Sequence, residues 1–381
     1  MIKKIIFTVT PIFSIPPKGA AAVESWIYQV AKRLKLHNKI ICVKNEGYTD
    51  FTQVNKHCSI HRIGFSRIYK RLFQKLTRLD PVPYSQRILN IKNKFADDVE
   101  SVTIVHNSMK LYRQIKTRSP KTNVILHMHN AFPPKNIDDK AKIIVPSVFL
   151  RNYFQSFLPE ADIAVVPNGV DVIEYKDNTN VVSRSSLGIK DNDTLILFAG
   201  RIIEDKGVLQ LLQAVEKITP QRSDIKLLLI GAIDSTKKGE KAEFQNKVLE
   251  VAYRLKSHCI MIGSVAPDDM NKYYPLADLV VIPSQVEEAF CMVAIEAMCA
   301  GSPVLVSPRG GMPEFVLKNQ TGYHLSEPLS AESIAKDIGD VLKDPNLTNI
   351  ARQGQKYVAE RFSWESVTDI FMGTLKKWFV L

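Results

Sequence analysis

The sequence predicts an α/β protein of two doubly wound, Rossmann-like parallel-sheet domains facing across a cleft. Three observations predict it. Short apolar runs rich in β-branched residues alternate with stretches of helical period, the pattern of strand–helix–strand crossovers. That pattern stops at a cluster of turn formers and then begins again. The length, 381 residues, suits two domains of ~150 residues each.

The elements follow in order. Ile5–Val9 is a first buried strand; after a Pro/Gly loop, Val23–Leu34 carries apolar residues at helical spacing. Further strands are expected at 39–43, 102–106, 124–128, 142–145 and 163–166. Val166-Pro167-Asn168-Gly169-Val170-Asp171 then gathers turn formers, and a polar stretch runs on to Asp193. The pattern restarts with strands at 195–199, 226–230, 259–262, 279–282 and 304–306, and Trp364–Leu381 reads as a last amphipathic helix. The expected domains are therefore 1–166 and 167–362, with 363–381 a helix crossing back to the first. In such sheets a ligand binds beyond the carboxyl ends of the strands.

Composition narrows the compartment and the partners. The pI is near 9.3 and the net charge +12. Residues 1–180 hold 28 Lys and Arg against 14 Asp and Glu; the remainder holds 23 against 25. The excess thus sits in the first half, as if that half met something anionic. Cys42, Cys58, Cys259, Cys291 and Cys299 show no C-x-x-C and no His at metal spacing, a pattern of reduced thiols in a cytoplasmic protein. The opening MIKKIIFTVTPIFSIPPKGAAA imitates a signal peptide. Its Thr8, Thr10 and Pro11 interrupt the apolar run, and a first strand explains it better. No run reaches ~18 apolar residues, so no membrane span is expected.

The loops after the second set of strands carry the chemistry. Phe198-Ala199-Gly200-Arg201 leads through Lys206-Gly207 into a helix at 208–218. Arg201 could fork onto phosphate oxygens and Lys206 act as a point charge; the alternative is a solvated loop with two surface charges. Ile282-Pro283-Ser284 ends another strand, and a helix is expected from Ala289 or Phe290. The backbone N–H groups of Phe290, Cys291 and Met292 would then offer an anion site for a diphosphate. Glu296, set among Val293, Ala294, Ile295, Ala297 and Met298, has no lysine within a helical turn to pair with. A carboxylate there can accept from a diol such as a ribose.

With these residues in view, the chain resembles the retaining, GT-B-fold glycosyltransferases of family 4. Glu288 and Glu296 stand as that family's E-x7-E signature, and Arg201 and Lys206 as its diphosphate clamp. Val166–Asp171 matches its linker, Gly310-Gly311-Met312-Pro313-Glu314 a loop near the donor, and Pro17-Lys18-Gly19-Ala20 its N-terminal Gly-Gly loop. Ala20 departs from the second glycine, and Ala289 and Cys291 stand where the family often has Gly. The resemblance implies an acceptor-binding first domain and a nucleotide-sugar-binding second domain. It implies catalytic roles for Arg201, Lys206, Glu288 and His129. Gly19, Ala20, Ser284, Phe290, Cys291, Met292 and Glu296 would bind substrate, with no metal and no cofactor. IIFTVTPIFSIPPKGAAAVESWIYQVAKRL, YKRLFQKLTRLDPVPYSQRILNI and HNSMKLYRQIK are similar to the branch of that family acting on the outer core of lipopolysaccharide. That branch implies UDP-GlcNAc as donor and a glucose of the core as acceptor, joined α-1,2 with retention.

Other features have two readings each. His127 and His129 end a strand on one face; His129 matches the family's active-site histidine, and His106 ends another strand on the acceptor side. Either could be structural. Asp191-Asn192-Asp193 fits a metal-binding D-x-D, but it precedes a strand and reads as a solvated turn. Tyr69–Leu79 sets Tyr69, Leu72, Phe73, Leu76 and Leu79 on one stripe beside Lys70, Arg71, Lys75 and Arg78. That helix would lie on the cytoplasmic face of the inner membrane or form an ordinary core face. Two rival functions stay open. A UDP-sugar 2-epimerase of the same fold would make UDP-ManNAc without acceptor. A nucleic-acid-binding protein, suggested by pI alone, would need aromatics interleaved with the basic residues, and the sequence does not show them.

Overall fold

The computed structural model describes residues 1–19, 21–65, 82–98, 100–176, 181–233, 236 and 239–380. Ala20 and the basic stretch Tyr69–Leu79 therefore lie outside the described residues. The contacts divide the chain into two units: Met1–Gly169 with Trp364–Leu381, and Val170–Ser363.

The first unit is built on one sheet, in the order β3-β4-β2-β1-β5-β6-β7-β8. Its strands are β1 (Lys4–Val9), β2 (His37–Val43), β3 (Phe51–Gln53), β4 (Cys58–Ile63), β5 (Ser101–His106), β6 (Asn123–His127), β7 (Lys142–Val145) and β8 (Asp162–Val165). All neighbours pair in parallel except β3 and β4. The expectation of a purely parallel sheet needs that correction, and β3 and β4 were not expected as strands. Their connection is too short for a crossover, so the pair must be antiparallel. Asn55 makes the turn, its Oδ1 accepting from the N–H groups of His57 and Cys58 at 2.8 and 2.9 Å.

The last helix, Trp364–Trp378, packs Trp364, Val367, Phe371 and Leu375 into the same core as Trp26 and β1. Gly169 shows how closely the start of this helix meets the end of the stretch Met1–Gly169. A Cβ there would lie 2.7 Å from Trp364 Cδ2, so only glycine fits.

The second unit carries a parallel sheet in the order β11-β10-β9-β12-β13-β14. These are β9 (Thr194–Ala199), β10 (Ile225–Ile230), β11 (Cys259–Gly263), β12 (Leu279–Ile282), β13 (Val304–Val306) and β14 (Tyr323–His324). The central strands read as unbroken apolar runs because both faces are covered. Strand order reverses between β9 and β12. Chain connections leave that point in opposite directions and open a crevice at the strands' carboxyl ends.

Candidate active site

In the second unit the crevice is built from three loops, following β9, β12 and β13. Backbone contacts hold them together. Gln285 N–H donates to Asp205 C=O at 2.7 Å, tying the loop after β12 to the turn Glu204–Lys206 after β9. Gly207, with φ +66°, closes that turn against the Pro283 carbonyl, where any Cβ would collide. Gly310, at φ +62°, lies on the backbone of Glu288, and Gly311 N–H donates to Glu288 C=O at 2.7 Å. These glycines are needed for close backbone approach.

That frame brings Lys206 and Glu288 together. Lys206 Nζ donates to Glu288 Oε1 at 2.5 Å, and Ser284 Oγ donates to the same oxygen at 2.6 Å. Oε2 of Glu288 has no partner among the described residues. Separate roles expected for Lys206 and Glu288 thus begin from one ion pair. Arg201 is exposed, and its guanidinium has no hydrogen bond or ion pair among the described residues.

The helix start differs from expectation. The helix runs Met292–Cys299 with Cys291 as its N-cap, not from Ala289 or Phe290. Two contacts keep the preceding residues out of it: the Gly311 bond to Glu288, and the Phe290 ring against Phe315 at 4.9 Å. The first i→i−4 bond is Ile295 N–H to Cys291 C=O. The N–H groups at the start are therefore those of Cys291, Met292, Val293 and Ala294, and Phe290 does not contribute. Cys291 is buried, and burial pushes its thiol up to about 12. It remains a neutral thiol.

Glu296 lies four residues past Met292, closer to the helix start than the expected two turns. It also has a partner that no local pattern signals. Tyr274, just before β12, donates its hydroxyl to Glu296 Oε2 at 2.9 Å. Burial raises the Glu296 carboxyl to about 7; the Tyr274 hydrogen bond acts in the opposite sense.

In the first unit, three histidines gather where β5 and β6 end. His106 and His127 are register partners on neighbouring strands, and His129 lies two residues beyond β6. His106 Nδ1 and His129 Nε2 share a hydrogen bond of 3.3 Å. His127 stacks on His129 at 4.1 Å and meets the Trp26 edge at 4.4 Å. Burial holds all three well below the ordinary histidine range, His129 down to about 3, so each is neutral. One ring nitrogen from each lies within 4.8 Å of the others. The His127 and His129 planes are 25° apart. Alternation along β6 sets His127 beside His129, as expected; parallel pairing adds His106, and Trp26 comes from the helix Ala22–Arg33, which no local pattern signals.

The remaining expected residues are separate from these groups. Gly19 is exposed, with nothing within 4 Å of its Cβ direction. Asp191 and Asp193 precede β9, at the end of the sheet opposite Lys206. Asp193 Oδ2 accepts from the Lys190 N–H at 2.8 Å and closes a turn.

Known proteins share this architecture. Residues 182–357 match the family model described as "Glycosyl transferases group 1". Over 379 residues the chain is 55% identical to the lipopolysaccharide 1,2-N-acetylglucosaminetransferase of Salmonella typhimurium, covering 100% of both chains. It is 25% identical over 391 residues to spore coat protein SA of Bacillus subtilis, covering 98% of this chain and 99% of the other. Among solved structures, Anabaena HepE in complex with UDP superposes with a TM-score of 0.76 at 18% identity, over 98% of this chain and 100% of that one. Sucrose-phosphate synthase from Thermosynechococcus elongatus gives 0.75 at 21%, over 98% of each. At such identities the likeness is one of fold.

Proposed function

The chain belongs to the group 1 glycosyltransferases of GT-B fold, and from that membership we propose its donor, acceptor and linkage. It transfers N-acetylglucosamine from UDP-GlcNAc to a glucose of the lipopolysaccharide outer core, α-1,2 linked with retention. The observation that supports this reading best is the 55% identity to the Salmonella transferase over the whole of both chains.

The residues take roles that follow from their chemistry. Lys206 has three donors and commits one to Glu288, leaving two for the leaving diphosphate. Arg201 adds a fork of donors from the same loop, and the N–H groups at Met292 add a third contribution. Stabilising charge that develops on the departing UDP is the main catalytic term in such chemistry. Glu288, its Oε1 held by Lys206 and Ser284, presents Oε2 to the donor sugar's hydroxyls. Tied in this way it is a poor covalent nucleophile, so displacement proceeds on the face the UDP leaves. Glu296 accepts from the ribose hydroxyls. His129 is a neutral imidazole, suited to a hydrogen bond with a sugar hydroxyl and not to binding phosphate.

Cationic side chains and a helix start replace a metal in this scheme. Turnover measured as UDP release with a core acceptor should be unchanged by EDTA. Loss of activity on chelation, restored by Mn²⁺, would return Asp191 and Asp193 to consideration.

The acceptor is a phosphorylated glycolipid, and the chain works at the cytoplasmic face of the inner membrane, held peripherally by the basic first half. No helix among the described residues is long and apolar enough to cross a membrane. Protein bound to anionic vesicles should release as added salt brings the Debye length below ~10 Å. Changing Lys70, Arg71, Lys75 and Arg78 to Glu should weaken binding. Unchanged binding by that variant would show that the stretch does not meet the membrane.

A further inference from the structure

Glu296 is a carboxylate with no cation beside it among the described residues. The titratable groups around it are Tyr274 from the turn before β12, Tyr175 and Glu174 from the helix Val172–Lys176, and Cys291 at the N-cap of its own helix. Tyr274 gives Glu296 its one side-chain hydrogen bond among the described residues. The tyrosine itself is rigidly placed. It is fully buried, its ring lies 6.2 Å from that of Tyr175, and its main-chain carbonyl accepts from Ser302 Oγ at 2.6 Å.

We propose that Tyr274 is a positioning residue for nucleotide binding: its hydroxyl anchors Glu296 Oε2, turns Oε1 toward the ribose, and keeps the carboxylate ionised for that contact. This rests on the ribose role given to Glu296 above. A diol donates two O–H groups, so it is held by the ionised carboxylate and only poorly by the protonated one. Burial keeps a proton on Glu296 up to about pH 7 in the free protein, with the Tyr274 hydroxyl opposing that effect. Nucleotide affinity should therefore rise with pH through this range. Without the hydroxyl the carboxyl keeps its proton to higher pH, and the rise moves up with it.

Tyr274→Phe removes the donor and keeps the ring that packs in the core. Calorimetric titration with UDP, from about pH 6 to about pH 9, compares wild type, Tyr274→Phe, Glu296→Gln and the double variant. Near pH 7, Tyr274→Phe should bind UDP roughly tenfold more weakly, one hydrogen bond to a charged group being of that order, and should recover as pH rises. Glu296→Gln should be weak at every pH, and adding Tyr274→Phe to it should change little. Three outcomes would overturn the proposal. Tyr274→Phe could bind UDP like wild type. Its loss could be the same at every pH and persist in full on the Glu296→Gln background, which would make Tyr274 a packing residue. If instead Glu296→Gln binds UDP as wild type does, the ribose assignment itself fails, and the Tyr274 role fails with it.

Discussion

Lys206→Ala should lower turnover by about 10²- to 10³-fold, the usual cost of removing one preorganised donor from a developing charge, on the order of 3 kcal/mol. The loss should appear mainly in kcat, since the ammonium meets more negative charge in the transition state than in bound UDP-sugar. The structure adds a second element to this expectation. Lys206 is held by Glu288 at 2.5 Å, so in the proposed role it would meet the diphosphate from a fixed position instead of as a mobile surface chain. The variant should fold. Glu288 keeps the Ser284 hydroxyl, and the loop is held by backbone contacts of Gly207, Gln285 and Gly311 that the substitution leaves alone. Steady-state kinetics with saturating donor decides it: a folded variant with near wild-type kcat would remove Lys206 from the leaving-group site.

Glu296→Gln should weaken UDP by roughly ten- to a hundredfold, since hydrogen bonds to a charged acceptor contribute ~1.5–3 kcal/mol. The same change should leave 2′,3′-dideoxy-UDP almost unaffected, because that ligand lacks the hydroxyls in question. Stability separates this account from a structural one. The folded carboxyl titrates at about 7, raised by burial from an ordinary value of 4.5. A raised carboxyl favours folding at low pH and loses that contribution as pH climbs through 7. Above that pH wild type holds a half-buried, poorly solvated charge beside Tyr274 that glutamine does not, so the variant should melt no lower than wild type. A lower melting temperature with UDP affinity unchanged would make Glu296 a core residue. Equal losses for both ligands would remove the ribose contact.

The legible parts of the site were those written locally. Glu288 and Glu296 stand at fixed separation on one short segment, and Lys206 follows a strand that shows as the unbroken apolar run Leu195–Ala199. The alternation of such runs with helical stretches was enough to place the central strands of both sheets, though not β3, β4 or β14. What could not be read depends on residues far apart in the chain. Tyr274 meets Glu296 only because β12 and the helix after it fold back on one another. The helix begins at Met292 because the Gly311 N–H holds Glu288 from another loop. His106 and Trp26 reach His129 through parallel strand register and helix packing, which leave no spacing signal. The hairpin of β3 and β4 was missed for a different reason. Its strands are short and carry polar residues, and its turn rests on the Asn55 side chain instead of a Gly or Pro marker.

Purified protein should be incubated with lipopolysaccharide whose outer core ends at the acceptor glucose, separately with UDP-GlcNAc, UDP-glucose, UDP-galactose and UDP-GalNAc. The product is then read by mass spectrometry and linkage analysis. One N-acetylhexosamine should be added from UDP-GlcNAc alone, joined α-1,2 to glucose, with UDP released in equal amount. Preferred transfer from another UDP-sugar, or formation of UDP-ManNAc with no sugar added to the core, would contradict the proposed function.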